Sequence, residues 1–495
     1  MSRCTNTSTR TGAGFYFGIN PDPEDFVRQC AVFDYIPIFT EKHLPRELDI
    51  TLLYQRLAPA APACLLESLI GQENGRYSII GFSPLHQIEF TSSTGYESDP
   101  LHEIIKSTKV PALDFPHFYG GLIGCWSYDF ALRHQKLPRK VQTKNSVPDQ
   151  QFFMPGVVIV YDRYELTLRV FIWVKAEATG MDTYGAAIQD IENIITLAAS
   201  CPSSNISHRP LCPRHIGHSD FRVNISDEEY CRRVSTAKHH ITQGDIFQVV
   251  LSRRWSRRSK SSPWKVYQAM RAINPSPYMF YLEGLEFTLI GASPEMQLKV
   301  VNRVVKSRPI AGTRKVTGNN HQDELLRQEL LSDEKERAEH MMLVDLGRND
   351  VGRVSEAGTV KVAEFMKIEP YSHVVHLVST VQGRLKPSLE AVDAFNACFP
   401  AGTLSGAPKR KAMEIINDLE DDARGLYGGA IGHIGFDGSL DSCITIRSIL
   451  HRNQTYYLQS GAGIVADSIP KMESEETLSK ARVLMLAILE AEEDL

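Results

Sequence analysis

The sequence predicts an α+β protein built on large antiparallel sheets, and three observations carry that expectation. Strand-like and helix-like segments alternate along the chain without the regular βαβ rhythm of a parallel sheet. The segment Gly156–Val174 (GVVIVYDRYELTLRVFIWV) is dense in β-branched and aromatic residues on both sides of Asp162-Arg163, the pattern of a hairpin. An apolar share of 42% and a charged share of 23% over 495 residues supply a core for two to four domains or one compound fold.

In chain order, residues 1–34 read as an N-terminal extension. The first twenty are polar and basic (Arg3, Arg10) without an apolar run, so a secretory signal is not expected. Their Ser/Thr/Arg bias fits either an organelle transit segment or a frayed terminus. Residues 35–198 form an N-terminal region with the hairpin near its end. Residues 199–220 (ASCPSSNISHRPLCPRHIGHSD) are rich in Ser, Pro, His and Cys and lack periodicity, which reads as a linker. Ser226-Asp227-Glu228-Glu229 is a capping box, and Tyr230, Val234, Ala237 and Ile241 come next at helical spacing up to Gly244. Ile246–Leu251 reads as a buried strand. The basic run Arg253–Arg258 after it reads as a solvated loop, because a net charge of −5 gives no global field for nucleic acid. Further helices are predicted over Ser332–Leu346 and Glu473–Leu489, the latter with Pro470 just before it. No repeat of 20–50 residues is present.

Two function classes fall away on composition. No apolar run approaches the roughly 18 residues that span a bilayer. Nine cysteines without a single C-x-x-C spacing argue against a disulfide scaffold or a zinc site and for a cytoplasmic protein.

The residues that carry chemistry lie in the C-terminal half. Glu336 and Glu339 share one helix face, as do Glu473 and Glu476, with Lys480 four residues on. Each pair alone reads as a solvated face; brought together, four hard oxygen donors are what Mg²⁺ takes. Gly461-Ala462-Gly463-Ile464-Val465-Ala466 matches a dinucleotide fingerprint in letters only, because Asp467–Pro470 delays the helix that such a motif must open. Side-chain-free backbone there still allows a carboxylate to approach N–H donors. No P-loop exists. Arg447, set among β-branched neighbours, demands an anionic partner. His376 sits in an apolar strand-like run, where a core histidine is the default.

Taken in order, GDIFQ (244–248), GASPE (291–295), RPIAGTR (308–314), AEHMMLVDLGRND (338–350), FPAGTLSGAPK (399–409) and SGAGIVADSIP (460–470) resemble the chorismate-utilising enzymes. The likeness is nearest to the large subunits of anthranilate synthases, and it covers roughly residues 35–490. It implies a compound α+β fold of layered antiparallel sheets flanked by helices, with 221–490 as the chorismate-binding catalytic region. It also implies Mg²⁺ on Glu339 and Glu476, with Glu336 and Glu473 in support and Lys480 balancing the charge. By the same likeness, Tyr427 and Arg447 hold the enolpyruvyl carboxylate. Ala311, Gly312 and Thr313, with Gly461, Ala462 and Gly463, approach the rest of the substrate. Glu295 matches a general acid for the departing hydroxyl, a role that requires a raised pKa and hence burial. His376 matches a histidine tied to turnover at the ring.

Gln248 stands where water-adding relatives carry a lysine, and Ala311 where aminodeoxychorismate-forming relatives carry one. The resemblance therefore implies ammonia as nucleophile and anthranilate and pyruvate as products. No cysteine lies in a Gly-x-Cys-x-Gly elbow, Cys125 lacking the second glycine, so the likeness implies a glutamine amidotransferase subunit as ammonia source in a hetero-oligomer, often a heterotetramer. A free-standing, ammonia-dependent synthase is the alternative. A non-catalytic amino-acid sensor is disfavoured, since no motif position is lost. Finally, LLES (65–68) and NPSPYMF (274–280) resemble a tryptophan feedback site, with Glu67 and Ser68 as acceptors for the ammonium and Pro277, Tyr278 and Met279 around the indole.

Overall fold

The expected hairpin is the hub of the architecture. In the computed structural model, strand Gln150–Asp162 pairs antiparallel with Thr167–Lys175 across a turn at 163–166. The structure describes residues 18–69, 76–91, 99–138, 147–176, 180–203, 216, 220–315, 319–370 and 374–493. Within them, 20 strands join in one hydrogen-bonded network with antiparallel pairing throughout, flanked by helices: an α+β fold, as the sequence predicts.

Strand Gln150–Asp162 is shared between two branches. Tyr77–Phe90 pairs along its whole length. On the other side its second half holds Thr167–Lys175, and its first half holds Gly121–Trp126. From Gly121–Trp126 the sheet runs through Ala430–Gly435 and Leu440–Ile444 to Met296–Val301. From Tyr77–Phe90 it runs through Ala63–Glu67, Tyr278–Glu283, Thr288–Ser293, Ser448–Arg452 and Thr455–Ile464 to Gln248–Arg258. Strands from both ends of the chain thus neighbour one another, and the cores mix in the same way. Trp126 stacks on Phe395 with ring centroids 4.0 Å apart, and Tyr54 on Trp264 at 4.9 Å. Burial of such aromatic area is the dominant stabilising term.

Three details differ from the sequence reading. The basic run Arg253–Arg258 is the second half of strand Gln248–Arg258 instead of a solvated loop. Three of its arginines have partners: Arg253, 3% exposed, donates to Thr477 Oγ1 at 2.9 Å and Ser474 O at 2.8 Å and pairs with Asp227, Arg254 donates to Gln459 Oε1 at 3.1 Å, and Arg257 grips Glu492 at 2.8–2.9 Å. A buried guanidinium is tolerated only with such partners. The helices are also longer than periodicity suggests. The first runs over Glu334–Val354, capped by Asp333 accepting from the N–H groups of Lys335 and Glu336; the second runs from Pro470 to Glu493. Within the expected N-terminal extension, helix Pro23–Cys30 buries Phe26 to 1% exposure. The expected linker lies mostly outside the described residues. None of the described helices is long and apolar enough to cross a membrane.

Candidate functional site

Two long helices, the short helix Gly402–Ser405 and three strands line a cavity of about 610 Å³. Pro470 opens one helix, pre-set in φ and lacking an N–H that the first turn would waste. Its face carries Glu473, Glu476 and Lys480 to the cavity wall. The other helix, Glu334–Val354, brings Glu336 and Glu339 to the same cavity. The fold therefore unites the two carboxylate pairs that sequence spacing alone leaves as separate surface faces.

Their electrostatics are those of crowded anions. Burial raises the Glu339 pKa first, and the charges of Glu336 and Glu476 raise it further, with Lys335 and Lys480 opposing. Burial likewise raises that of Glu473, with Glu476 adding to it and a hydrogen bond from Ser468 offsetting it. Glu476 pairs with Lys480 at 2.6 Å, and Lys480 Nζ also donates to Gly461 O at 3.1 Å. Glu336 accepts from Arg314 Nη1 at 3.1 Å. Among the described residues no set of three or more His, Cys, Asp or Glu closes a metal cage by itself. The carboxylates facing the cavity are nevertheless the hard oxygen donors that Mg²⁺ takes one or two of, completing its shell with water and substrate oxygens. The donor set fits the ion.

The cavity also holds the opposite charge. Arg447 lines it, held in left-handed backbone at φ 49°, an uncommon conformation for a residue with a Cβ. Burial works against its charge; Tyr427 and Glu476 favour that charge without hydrogen-bonding to it. The strand Thr455–Ile464 supplies the floor. A Cβ on Gly461 would stand 2.6 Å from Leu251 O and 2.9 Å from Tyr427 Oη, and one on Gly463 would stand 2.8 Å from Gln248 Nε2. The backbone contact explains Gly461, whereas a Cβ at Gly463 would displace the Gln248 amide. Ala462, between them, faces the opposite side and is buried in the core with Val249 and Leu251.

Glu295 and Gln248 complete the wall. Glu295 follows strand Thr288–Ser293, and burial lifts its pKa to about 7 against the opposing pull of a Thr403 hydrogen bond and the Lys480 charge. Gln248 is the first residue of its strand, and its buried Oε1 has no hydrogen-bond partner. Ala311 and Gly312 line the cavity, Gly312 in left-handed backbone at φ 66° where a Cβ would stand 2.9 Å from Leu330 Cδ1.

His376, like Ala462, stands off the wall: it lies on strand Val374–Arg384, beside Ile310–Lys315, with its Nδ1 2.9 Å from Gly312 O, and burial and the Arg447 charge lower its pKa. For Thr313 only the backbone is described, paired opposite His376. Thr403 lies in a motif singled out in the sequence, yet nothing there marks it as the donor to Glu295. Lys335 and Ser468 also line the cavity and were not legible, because their relevance exists only once the helices meet.

Away from this cavity, the two segments with a tryptophan-site likeness are neighbours: Ala63–Glu67 pairs with Tyr278–Glu283, setting Glu67 opposite Met279. Glu67 does not offer free acceptors. Arg271 binds it through Nε at 2.9 Å and Nη2 at 3.0 Å, and the Tyr267 hydroxyl also donates to it. Met279 is fully buried, and Tyr278 Oη donates to Asp441 Oδ1 at 3.1 Å. Ser68 Oγ is buried without a partner. Pro277 directly precedes strand Tyr278–Glu283.

Comparison with known proteins agrees with this geometry. Residues 61–486 match the family model described as chorismate binding enzyme. The anthranilate synthase component 1 of Acetivibrio thermocellus is 42% identical over 484 residues, covering 93% of this chain and 97% of that one. The crystal structure of anthranilate synthase component I from Streptococcus pneumoniae TIGR4 superposes with a TM-score of 0.74 at 34% identity, covering 90% of this chain and all of that one. The menaquinone-specific isochorismate synthase of Escherichia coli shares the fold with a TM-score of 0.69 at 18% identity, covering 94% and 98%.

Proposed function

The chain belongs to the chorismate-binding enzymes and, within them, to the anthranilate synthase component 1 family; on that premise we propose that it aminates chorismate at C2 with ammonia and then eliminates pyruvate to leave anthranilate. Chorismate is a dianion, and the cavity offers cationic Arg447 and, through its carboxylates, a seat for Mg²⁺. Glu339 and Glu476 would hold the ion, with Glu336 and Glu473 in support, and it would supply positive charge to the ring carboxylate. Arg447 and Tyr427 take the enolpyruvyl carboxylate, fixing the ring over the Gly461–Gly463 backbone. Glu295, neutral near pH 7, gives its proton to the departing C4 oxygen, which leaves as water. Lys480 balances the acidic wall, and His376, through its Nδ1 proton, fixes the Gly312 carbonyl beside the ring. Thr313 lies in the same ring-lining segment.

The observation that carries the choice of nucleophile is Gln248 on the cavity wall. A glutamine amide cannot activate water as a base, whereas ammonia is already nucleophilic. Incubation of the purified protein with chorismate, Mg²⁺ and ammonium at alkaline pH tests this reading through anthranilate fluorescence.

The ammonia comes from glutamine through a separate amidotransferase subunit in a hetero-oligomer in the cytoplasm. Glutamine-dependent activity from this polypeptide alone would overturn that part. Tryptophan inhibits by binding beside the paired strands Ala63–Glu67 and Tyr278–Glu283. There Ser68 offers an unpaired hydroxyl, and Glu67 acts through Arg271. Inhibition requires that tryptophan favour an arrangement that chorismate does not, and the effect is reciprocal.

A further inference from the structure

A second cavity, of about 40 Å³, lies behind Glu295 and shares Glu295, Leu343 and Thr403 with the first as its partition. Two of its lining residues, Gln297 at 5% exposure and Asp350 at 7%, each present a buried oxygen with no hydrogen-bond partner: Gln297 Oε1 and Asp350 Oδ1. Buried acceptors without partners are rare and expensive. The local backbone shows how Gln297 comes to be there. Met296 pairs with Cys443 and Leu298 with the next residue, Ser442, so Gln297 is the extra residue of a β-bulge. Bulges re-aim one side chain at the cost of a ladder hydrogen bond and gather beside active sites. Asp350 is held on its Oδ2, which accepts from the buried Lys409 ammonium at 2.7 Å, while Oδ1 lies 3.8 Å from the exposed Arg353 guanidinium, too far for a hydrogen bond. The cavity reaches toward the surface at half-exposed Ser307, Arg308 and Leu346.

We infer that this cavity is a proton-relay site, holding hydrogen-bonded water between Gln297 Oε1, Asp350 Oδ1 and Glu295, through which Glu295 recovers its proton from solvent in each turnover. At roughly 10–15 Å³ per water the space of about 40 Å³ admits about three or four molecules. The inference rests on the general-acid reading of Glu295 and accounts for something that reading leaves open. Once chorismate fills the main cavity, a carboxylate that has given its proton to the C4 oxygen is covered on that side. The proton shed by the attacking nitrogen leaves to solvent separately, and Glu295 takes one back through the rear cavity, so protons balance over the cycle. The network leaves every catalytic contact in the main cavity untouched.

Gln297→Met tests this with a side chain of similar size that removes the acceptor. Gly347→Ala is the second variant: Gly347 lines the cavity, and an added Cβ meets only ordinary contacts at 3.6 and 3.7 Å. Both variants are expected to melt as wild type and keep KM for chorismate. Their kcat is expected to fall about tenfold or more, up to the roughly 10²–10⁴-fold that a general acid contributes. The solvent deuterium isotope effect on kcat should rise above that of wild type. Folded variants with wild-type kcat and isotope effect, or a slowed variant whose isotope effect stays at the wild-type value, overturn the relay. A wild type that makes no anthranilate at all overturns the general-acid reading instead.

Discussion

The Thr403 hydroxyl donates a 2.8 Å hydrogen bond to Glu295 Oε1 at the partition between the two cavities. That bond stabilises the carboxylate and so lowers the Glu295 pKa, which burial raises by more. The balance leaves the acid near pH 7, where it can be both protonated before the reaction and ionised after it.

The stability consequence has a definite sign. The Glu295 pKa is about 7 in the folded protein against an ordinary glutamate value of 4.5, so its contribution is fully present below pH 4.5 and is lost as pH rises through 7. That difference amounts to about 3 kcal/mol at pH 8. Glu295→Gln keeps the shape and the oxygen that Thr403 donates to. It should therefore raise Tm relative to wild type at pH 8 and match it near pH 4.5, as thermal melts at the two pH values will show. The same variant should lose roughly 10²–10⁴-fold in anthranilate formation. For wild type at constant free ammonia, kcat/KM for chorismate should fall as pH rises past about 7.

Mg²⁺ dependence is expected from the crowded carboxylates. Glu339→Gln removes one negative charge from the four-glutamate wall and should leave the fold intact, since relieving like-charge repulsion does not cost stability. Its apparent Mg²⁺ affinity should drop at least about tenfold, measured as the Mg²⁺-induced rise in Tm and as the Mg²⁺ concentration for half-maximal rate. Full wild-type activity in EDTA would contradict the assignment.

How far the site was legible depends on whether its signal is local. Helix faces carrying Glu336/Glu339 and Glu473/Glu476/Lys480 come from spacing of three and four, and the hairpin at Asp162-Arg163 from composition. That the two pairs share a cavity does not, because it depends on how helices Glu334–Val354 and Pro470–Glu493 are placed by distant strands. The run Arg253–Arg258 misled for the same reason: its partners Asp227, Ser474, Thr477 and Glu492 lie 26 to 235 residues away. His376 read correctly as a strand residue, while its position beside Gly312 depends on pairing with Ile310–Lys315. The bulge at Gln297 leaves no mark in sequence at all.

Arg447 should act on binding more than on chemistry. Arg447→Lys keeps the charge and loses the two-pronged fit to a carboxylate, so KM for chorismate should rise about ten- to a hundredfold with a smaller change in kcat. Steady-state kinetics on chorismate distinguish this from a purely structural loss, which would lower kcat and Tm together.

Tryptophan sensitivity should map to the strand seam and not to the main cavity. Ser68→Phe adds bulk at a half-buried position and should abolish inhibition by millimolar tryptophan while leaving uninhibited kcat near wild type. Inhibition curves against chorismate for both proteins check it. A fully sensitive Ser68→Phe would move the site elsewhere.

The product formed when chorismate meets water and ammonia together distinguishes amination at C2 from its rivals. Purified protein with Mg²⁺, chorismate and ¹⁵N-ammonium should give ¹⁵N-anthranilate and pyruvate in equal amounts, identified by mass spectrometry of the quenched reaction. Isochorismate, or 4-amino-4-deoxychorismate, as the main product would contradict the account.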